Sequence, residues 1–324
     1  MASSDTIPRF SLPGSGAGVT VSVVIPTRNR LAWLVRCLES VRSQRLTPAE
    51  IIVVDDGSTD GTADMVRVQY PTVRVFHAGG VGPAGARNLG IDQATSQYVA
   101  FLDSDDLWYP DTLAQVVSVL ASTRLPAMLC GRTVPFEGDD VPSPPVDDDR
   151  MTSYMASEGL LAALPLAEFP YPSTVVVRRD VLSAAGGFVS DGWNAEDVDL
   201  YLRIGEGGGF AAVKAPPLAM RRCHAGQLNT NLDLAWAGIM RLIRREQAGA
   251  YAGGPRYVKE RRRLISDCGR FYVPRLLSDR RWSQAFRLGL PTLLWTSRYE
   301  TQILAGWMRT CWKASIRSPR ATVG

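Results

Sequence analysis

The sequence predicts an α/β fold in which a mostly parallel sheet is flanked by helices. Short apolar runs typical of buried strands alternate four times with helical patterns over about 115 residues. The chain has 324 residues, of which 45% are hydrophobic, so it is long enough to bury a large core. Polar motifs directly follow three of the strand-like runs, where open parallel sheets bind their ligands.

The individual elements follow from residue type and spacing. The run at 19–25 is continuous, β-branched and ended by Pro26, as expected of a buried strand. Apolar residues between 30 and 43 recur at the spacing of one helix face. Strands are predicted at 19–25, 51–54, 73–76, 98–102 and 127–131, with helices at 30–43, from a cap at Thr59 or Asp60 to 68, at 84–94 and at 112–120.

Beyond residue 131 the pattern becomes less regular. The acidic, proline-rich stretch 137–150 is expected to form a mobile loop or lid. The remaining predicted elements are a strand at 173–177, a helix at 195–204, a strand pair within 211–222 and helices from 232 onward. We therefore expect a flexible leader at 1–18, a main domain at 19–230 with halves at 19–125 and 126–230, and a basic helical region at 231–324.

Charge and cysteine content narrow the class of protein. Residues 241–324 contain 18 Lys and Arg against 5 Asp and Glu, so a basic tail follows an acidic body. The five cysteines are scattered, which indicates neither a disulfide framework nor a zinc ribbon and favours a reducing cytoplasm. We find neither a signal-peptide pattern nor a run of about 18 apolar residues.

The most informative motif is the acidic cluster that follows the run at 98–102. Asp103, Asp105 and Asp106 lie within four residues, and like charges raise one another's pKa unless a cation lies between them. Carboxylate oxygens are the ligands that Mg²⁺ and Mn²⁺ prefer, with substrate phosphates supplying the others. The sequence thus indicates a metal–diphosphate site. The alternative is that Ser104 or Asp106 caps the helix after Pro110.

Two further motifs should lie at the same edge of the sheet. Pro26–Asn29 follows the first strand and Asp55–Ser58 follows the second. Carboxyl ends of parallel strands meet at one edge, so this convergence favours a binding site over simple helix capping.

Five ordered motifs together resemble family 2 glycosyltransferases of the GT-A fold. The resemblance covers about residues 20–228 and implies a single Rossmann-like sheet, with a nucleotide-binding half at 19–125, an acceptor half at 126–230 and a C-terminal helical extension. Each motif alone is weak, but their order and spacing are specific. They are Val24–Arg30, Val53–Asp60, Ala86–Gly90, Phe101–Asp106 and Glu196–Leu200.

The resemblance implies a nucleotide-diphosphate sugar donor. Pro26 and Thr27 would line the base pocket, and Asp56 or its neighbour Asp55 would accept a hydrogen bond from a nucleobase N–H. Arg87 would contact the base or the diphosphate through its guanidinium fork. The alternatives are an acidic turn at 55–58 and a surface arginine at 87.

The resemblance also implies a divalent metal, Mn²⁺ or Mg²⁺. Asp103 and Ser104 would contact the donor, with Asp103 on the ribose and at the metal, and Asp105 would hold the metal. His224 would complete the metal shell or contact the diphosphate, although a single histidine is often structural.

The acid pair at the start of the predicted helix 195–204 is the implied catalytic base. An acceptor hydroxyl that attacks the anomeric carbon must lose its proton to a carboxylate within hydrogen-bonding reach. We assign this role to Asp197, with Glu196 as the second choice. The alternative is plain complementation of the helix dipole.

The basic tail suggests a second surface. Its mixture of Arg, Leu, Phe and Trp is typical of interfacial helices, so we expect either peripheral membrane contact or a helical subdomain that packs on the main domain. No nucleic-acid-binding signature is visible, so nucleic acid is not expected as a partner. The sequence does not decide whether the protein forms a homo-oligomer. The expected location is the cytoplasm, at the inner face of the membrane if the tail binds lipid.

The sequence therefore predicts a metal-dependent, inverting glycosyltransferase. The donor is expected to be a UDP-sugar, with GDP- and TDP-sugars as alternatives, and the acceptor is a hydroxyl of a polysaccharide, a lipid-linked glycan or a small metabolite. An inactive sugar-nucleotide-binding relative and a nucleotidyltransferase are the alternatives.

Overall fold

The structure is a computed structural model. It describes residues 9–10, 18–139, 141–143, 152–163, 170–191, 194–224 and 231–296. The predicted leader, apart from residues 9, 10 and 18, lies outside this part, as do most of the proline-rich stretch and residues 297–324. The chain divides into two compact units, the first formed by 1–192 and 203–225 and the second by 193–202 and 226–324.

The first unit is built on a nine-stranded sheet and a smaller three-stranded sheet. Their strands, in chain order, are β1 (Arg9–Phe10), β2 (Val21–Thr27), β3 (Glu50–Asp55), β4 (Arg74–His77), β5 (Tyr98–Phe101), β6 (Leu107–Trp108), β7 (Met128–Gly131), β8 (Thr133–Glu137), β9 (Thr152–Ser157), β10 (Val176–Arg178), β11 (Phe210–Ala215) and β12 (Ala219–Cys223). The large sheet has the order β1-β9-β11-β7-β10-β5-β2-β3-β4, and the small one the order β6-β12-β8.

Helices alternate with the strands of the first half as the sequence pattern predicts, and three more helices follow in the second half. They are α1 (Leu31–Arg42), α2 (Thr62–Gln69), α3 (Gly82–Gln93), α4 (Thr112–Ser122), α5 (Leu160–Ala163), α6 (Arg179–Ala184) and α7 (Glu196–Ile204). Strands β5, β2, β3 and β4 run parallel to one another, so their carboxyl ends lie at one edge. The predicted α/β fold is therefore confirmed.

Strand β2 lies at the centre of this parallel half because its side chains are apolar on both faces. All seven residues of β2 are buried, as expected for a strand covered by helices on both sides. Helix α3 packs closely on it through Gly90, where an added Cβ would overlap the side chain of Val24. The strand continues through Pro26 and Thr27, two residues beyond the predicted end.

Two predictions for the second half of this unit need correction. The segment predicted as a strand at 173–177 starts with a 3₁₀ turn at Pro172–Thr174, and only Val176–Arg178 pairs with β5 and β7, in antiparallel orientation. The two strands within 211–222 are present but are not a pair. Strand β11 pairs with β7 and β9 in the large sheet, whereas β12 pairs with β6 and β8. The small sheet was not predicted, because its strands find partners far along the chain.

The second unit is helical. It contains the first part of α7 together with α8 (Leu232–Gln247), α9 (Val258–Ser278) and α10 (Trp282–Thr296), as the tail pattern predicts for the described residues. Asn231 caps α8 by accepting hydrogen bonds from the backbone N–H groups of Asp233 and Leu234. Within the described residues, no helix combines the length and apolar content that crossing a bilayer requires.

Glu50 stabilises the edge of the sheet where the parallel strands begin, opposite the carboxyl ends that carry the motifs. Its carboxylate accepts hydrogen bonds from Ser22 Oγ at 2.6 Å and from the Thr95 N–H at 2.6 Å, and it pairs with Arg74. Burial acts to raise the pKa of Glu50, but the hydrogen bonds from Ser22, Thr95 and Arg74 outweigh it and lower the pKa to about 2. The ionised form therefore ties β3 to β2, to β4 and to the turn before β5.

We expect the stability of the first unit to depend on pH through Glu50. Because the folded-state pKa lies below its ordinary value of 4.5, the stabilisation is complete above that pH and is lost as the pH falls toward 2. Urea unfolding of the wild type and of Glu50→Gln should differ most at neutral pH and converge at acid pH. The exposed Glu206→Gln is the control; a pH-independent gap between wild type and Glu50→Gln would contradict this account.

Candidate active site

Three polar residues form a row across the carboxyl ends of β2, β3 and β4. Thr27 and Asp55 were predicted from the sequence, and His77 was not. Thr27 lies opposite Asp55, and Asp55 lies opposite His77. Asp55 is almost fully buried, and its Oδ2 lies 3.5 Å from His77 Nδ1. The hydroxyl of Thr27 is also buried, and no hydrogen-bond partner is found for it within the described residues. Pro26 precedes this row in β2.

The loops after β2 and β3 are held together by side chains of the two motifs. Asn29 Oδ1 accepts a hydrogen bond from the Thr59 N–H at 2.8 Å, and the Asn29 N–H donates to Ser58 Oγ at 2.9 Å. Asp60 accepts from the Leu31 N–H at 3.2 Å and the Thr62 N–H at 3.1 Å, so it joins the starts of α1 and α2. These motif residues therefore build the rim of the site.

Asp56 organises the glycine-rich turn before α3. Its two carboxylate oxygens accept the backbone N–H groups of Val81 at 2.6 Å and Gly82 at 2.9 Å. Gly80 and Gly82 have φ values of +86° and +79°, a region that glycine enters without steric cost. Asp56 thus acts on the turn, while Asp55 belongs to the row of strand ends.

Arg87 is a buried residue, so the alternative of a surface arginine is wrong. Its side chain is 6% exposed, and Nη2 donates to Asp103 Oδ1 at 2.7 Å. The guanidinium also lies 5.5 Å from the ring centre of Phe188, which packs edge-on against Phe101. Arg87 therefore connects α3 with the first acid of the cluster.

Asn88, the next residue of the same motif, fixes Phe188. Its side-chain amide donates to the Phe188 carbonyl and accepts from the Phe188 N–H, both at 2.8 Å. Gly187 has a φ of +67°, and a Cβ at that position would overlap Asn88. The Ala-Arg-Asn-Leu-Gly motif and the Gly187-Phe188 turn therefore form one structural element, although 100 residues separate Asn88 from Phe188.

Asp106 is the structural member of the acidic cluster. It is 1% exposed and accepts hydrogen bonds from Ser173 Oγ at 2.6 Å and the Arg222 N–H at 2.9 Å. Burial, with the negative charges of Asp103 and Asp105, raises the pKa of Asp106 well above its usual range. The alternative that Ser104 or Asp106 caps α4 is not supported, because Asp111 occupies the N-cap position and Asp106 bonds Ser173 and Arg222 instead.

Asp105 is the centre of a second group of contacts. Its Oδ2 lies 2.9 Å from His224 Nε2 and 3.7 Å from Arg30 Nη1. The indole of Trp33 packs against both partners, 4.3 Å from the His224 ring centre and 4.5 Å from the Arg30 guanidinium carbon. Asp105 and His224, which are 119 residues apart, are thus brought together as predicted.

The side chains of Asp105 and His224 fit a divalent cation that also binds a diphosphate. No group of three His, Cys, Asp or Glu side chains suited to a metal is found in the described part of the chain. Asp105 and His224 supply one carboxylate and one imidazole, and Mg²⁺-type sites for nucleotides use one or two protein carboxylates and take further oxygens from phosphate. Asp103 is engaged by Arg87, and Ser104 is buried in the turn between the two acids.

Glu196 and Asp197 belong to the second unit, where they form the first turn of α7. Asp197 Oδ1 accepts a hydrogen bond from the Val198 N–H at 2.8 Å. Burial and the charge of Asp197 raise the pKa of the Cys268 thiol. Burial, Cys268 and then both acids raise the pKa of Tyr272 to about 12. The negative charges of Glu196 and Asp197 therefore act on two side chains of α9, Cys268 and Tyr272.

Four residues of the first-unit site were not predicted from the sequence. His77 ends the third predicted strand, and Arg30 is the last residue of the first motif, so position alone could have indicated both. Trp33 and Arg222 looked like ordinary helix and strand residues. Their role follows from contacts with residues that are distant in the sequence. For example, the Arg222 guanidinium carbon lies 4.5 Å from the ring centre of Phe136.

The comparison with protein families decides the classification. The model of the family described as glycosyl transferase family 2 matches residues 22–185, about half of the chain. The chain belongs to glycosyltransferase family 2. The match contains four of the five motifs, including the strand-end row and the acidic cluster, and it ends before the Glu196–Asp197 pair.

Curated relatives share this part of the sequence. An uncharacterized glycosyltransferase of Rickettsia felis is 46% identical over 95 residues, which is 29% of this chain and 16% of that protein. The uncharacterized glycosyltransferase YibD of Escherichia coli K12 is 34% identical over 170 residues, 50% of this chain and 49% of the relative. The succinoglycan biosynthesis protein ExoO of Rhizobium meliloti is 34% identical over 164 residues, 49% of this chain and 44% of the relative. The chain thus matches about half or less of these relatives.

Solved structures show the same fold over a larger part of the chain. Staphylococcus aureus TarS with UDP-GlcNAc has a TM-score of 0.57 at 17% identity, covering 91% of this chain and 80% of that one. The mannosyltransferase PcManGT of Pyrobaculum calidifontis, bound to GDP-Man and Mn²⁺, has a TM-score of 0.53 at 20% identity, with coverage of 97% and 85%. At these identities the likeness shows the GT-A fold.

Proposed function

We propose that the protein transfers a sugar from a nucleotide-diphosphate sugar to an acceptor hydroxyl. The observation that carries this proposal is the convergence of three motifs of the family-matched region at the carboxyl ends of β2, β3 and β5. The hydroxyl of Thr27 beside Asp55 is buried and has no hydrogen-bond partner among the described residues, which supports a hydrogen-bonding ligand at that edge. A buried polar group without a partner is costly, so a ligand that pairs with it gains binding energy.

The donor would bind along the row of strand ends. Thr27 and Asp55, with Pro26 beside them, suit the base, since an ionised carboxylate accepts from a nucleobase N–H. Asp56 would shape the turn around it by holding Val81 and Gly82. Arg87 and Asp103, joined at 2.7 Å, suit the ribose and the diphosphate.

Asp105 and His224 are proposed to hold Mn²⁺ or Mg²⁺, with Asp103 and Ser104 adjoining. When bound, such an ion stabilises negative charge on the departing nucleoside diphosphate. Arg30 lies against both proposed ligands and adds positive charge at the same place. This arrangement favours negative phosphate oxygens over a neutral ligand.

The reaction proposed is an inverting transfer. Asp197 takes the proton from the acceptor hydroxyl as its oxygen attacks the anomeric carbon, and Glu196 is the second choice for this base. We propose UDP as the nucleotide of the donor. TarS has been crystallised with UDP-GlcNAc and PcManGT with GDP-Man, so related folds accommodate both bases. The acceptor proposed is a glycan hydroxyl, since ExoO is named for polysaccharide synthesis.

A panel of nucleotides tests the donor site. UDP, GDP, TDP and CMP would each be added with Mn²⁺ or with EDTA, and thermal unfolding would be followed. A ligand at about 100 times its Kd stabilises the folded state by about 2.7 kcal/mol, a shift of several degrees for a protein of this size. We expect a shift with UDP that requires Mn²⁺. The Mn²⁺-dependent part should disappear in Asp105→Asn.

Asp92→Asn is the matched control, because Asp92 is an exposed acid on α3. An unchanged Mn²⁺-dependent shift in Asp105→Asn would contradict its role as a metal ligand. A protein that no nucleotide stabilises would contradict the donor proposal itself.

The proposed base is tested by separating binding from turnover. Asp197→Asn should lower kcat by about 10²- to 10⁴-fold, the usual contribution of general base catalysis, while the UDP-dependent thermal shift stays. Glu196→Gln should have the smaller effect, and the exposed Asp191→Asn serves as the control. Full activity of Asp197→Asn would exclude it as the base.

The apolar outer face of α10 supports the predicted contact with a membrane, and we propose it as the docking face. Trp282, Phe286, Leu290 and Leu294 recur at every fourth residue, and their exposed fractions are 49%, 59%, 39% and 60%. Helix α10 contains no acidic residue, and the exposed Arg287 follows Phe286. An apolar face with Trp beside cationic side chains is typical of helices that lie on anionic lipid.

Vesicle co-sedimentation tests this contact. The full chain should bind vesicles that contain phosphatidylglycerol and not vesicles of pure phosphatidylcholine, and added salt should weaken the binding. Replacing Trp282 and Phe286 by Ser should weaken binding by at least about tenfold, from the lost apolar area. The control is Val68→Ser, which changes an apolar side chain that is 80% exposed in the first unit. Equal binding of both variants, or none by the wild type, would contradict the proposal.

A further inference from the structure

Asp199 is a fully buried carboxylate two residues after the proposed base. Its exposed fraction is 0%, whereas Glu196 and Asp197 in the same turn are only partly buried. A buried carboxylate is tolerated only when charged or hydrogen-bonding groups compensate for the lost water. The position of α7 is therefore tied to whatever partners Asp199 has.

Two partners of Asp199 come from the C-terminal helical region. Tyr251 donates its hydroxyl to Asp199 Oδ1 at 2.9 Å, and Arg245 Nε lies 3.1 Å from the same oxygen. The Arg245 guanidinium carbon lies 5.3 Å from the ring centre of Tyr251, so the three side chains contact one another. All three belong to the second unit.

The partners of Asp199 are themselves held in place. The turn after α8 closes when the Ala250 N–H donates to the Arg245 carbonyl at 2.9 Å, and Tyr251 follows directly. Arg261 of α9 donates to the Ala252 carbonyl at 2.9 Å and forms a buried ion pair with Glu246 at 2.7 Å. The turn that presents Tyr251 is thus fixed to both α8 and α9.

The residue before α7 gives a further reason why contacts must hold the start of this helix in place. Ala195 has a φ of +72°, a left-handed conformation that is strained for a residue with a Cβ. A strained entry persists only when surrounding contacts over-determine it. The bonds to Asp199 act one helical turn beyond this point.

We infer that Tyr251 and Arg245 are positioning residues that act through Asp199 to fix the first turn of α7. In this role they set the direction of the Asp197 and Glu196 carboxylates. Both lie far beyond residue 185, where the family match ends. The inference rests on the proposed function in one respect, namely that this acid pair supplies the base.

Tyr251→Phe tests the link, because it removes one hydroxyl and keeps the ring. We expect kcat to fall about ten- to hundredfold, as small displacements of a catalytic group do, with the donor KM and the UDP-dependent thermal shift unchanged. Arg245→Gln should act in the same direction, and Arg245→Lys should recover part of the loss. Tyr257→Phe, another buried tyrosine of this unit, should leave kcat unchanged.

Hydrogen exchange of the α7 amides gives a second measurement that needs no turnover. Tyr251→Phe should raise exchange at residues 198–202 and leave β2 and β3 unchanged. Unchanged exchange in α7 would overturn the inference, as would a kcat within about twofold of the wild type. A fall of kcat in step with donor binding and melting temperature would overturn it as well, since it would indicate general loosening. If the wild type transfers no sugar while exchange rises in the variant, the proposed function fails and the clamp on α7 stands.

Discussion

The first unit depends on the compensation of three clustered carboxylates at the end of β5, one of them buried and the other two partly buried. Asp103, Asp105 and Asp106 leave one strand within four residues, and each would destabilise the others if left uncompensated. The fold separates them by giving each its own partner. Arg87 binds Asp103, the His224 and Arg30 pair faces Asp105, and Ser173 with the Arg222 N–H satisfies Asp106.

This requirement explains several distant contacts of the first unit. Arg87 can reach Asp103 because α3 packs tightly on β2 at Gly90 and because Phe188 supports its guanidinium. Arg222 and His224 lie at the end of β12, which pairs with β8 and β6 in the small sheet. The small sheet therefore supports the site, since it delivers the groups that contact two of the acids.

The second unit follows the same rule with different residues. Asp199 and Glu246 are buried acids, and Arg245 and Arg261 are their cationic partners. Removing one member of such a pair costs more than the pair itself contributes, because it leaves an uncompensated charge. The helices between residues 232 and 296 are therefore joined to the start of α7 by the contacts of Asp199 with Arg245 and Tyr251.

The sequence by itself determined the α/β class, the order of the first strands and helices, and most of the first-unit site. These follow from local patterns, because an apolar run next to Pro26 or Asp55 contains the whole signal within a few residues. Tertiary structure decided the partners. Asp56 holds a glycine turn, Asp106 is buried, β11 and β12 lie in different sheets, and Arg30, Trp33 and His77 join the site. Each depends on groups brought together from distant parts of the chain, and burial and charge compensation act only after the chain has folded.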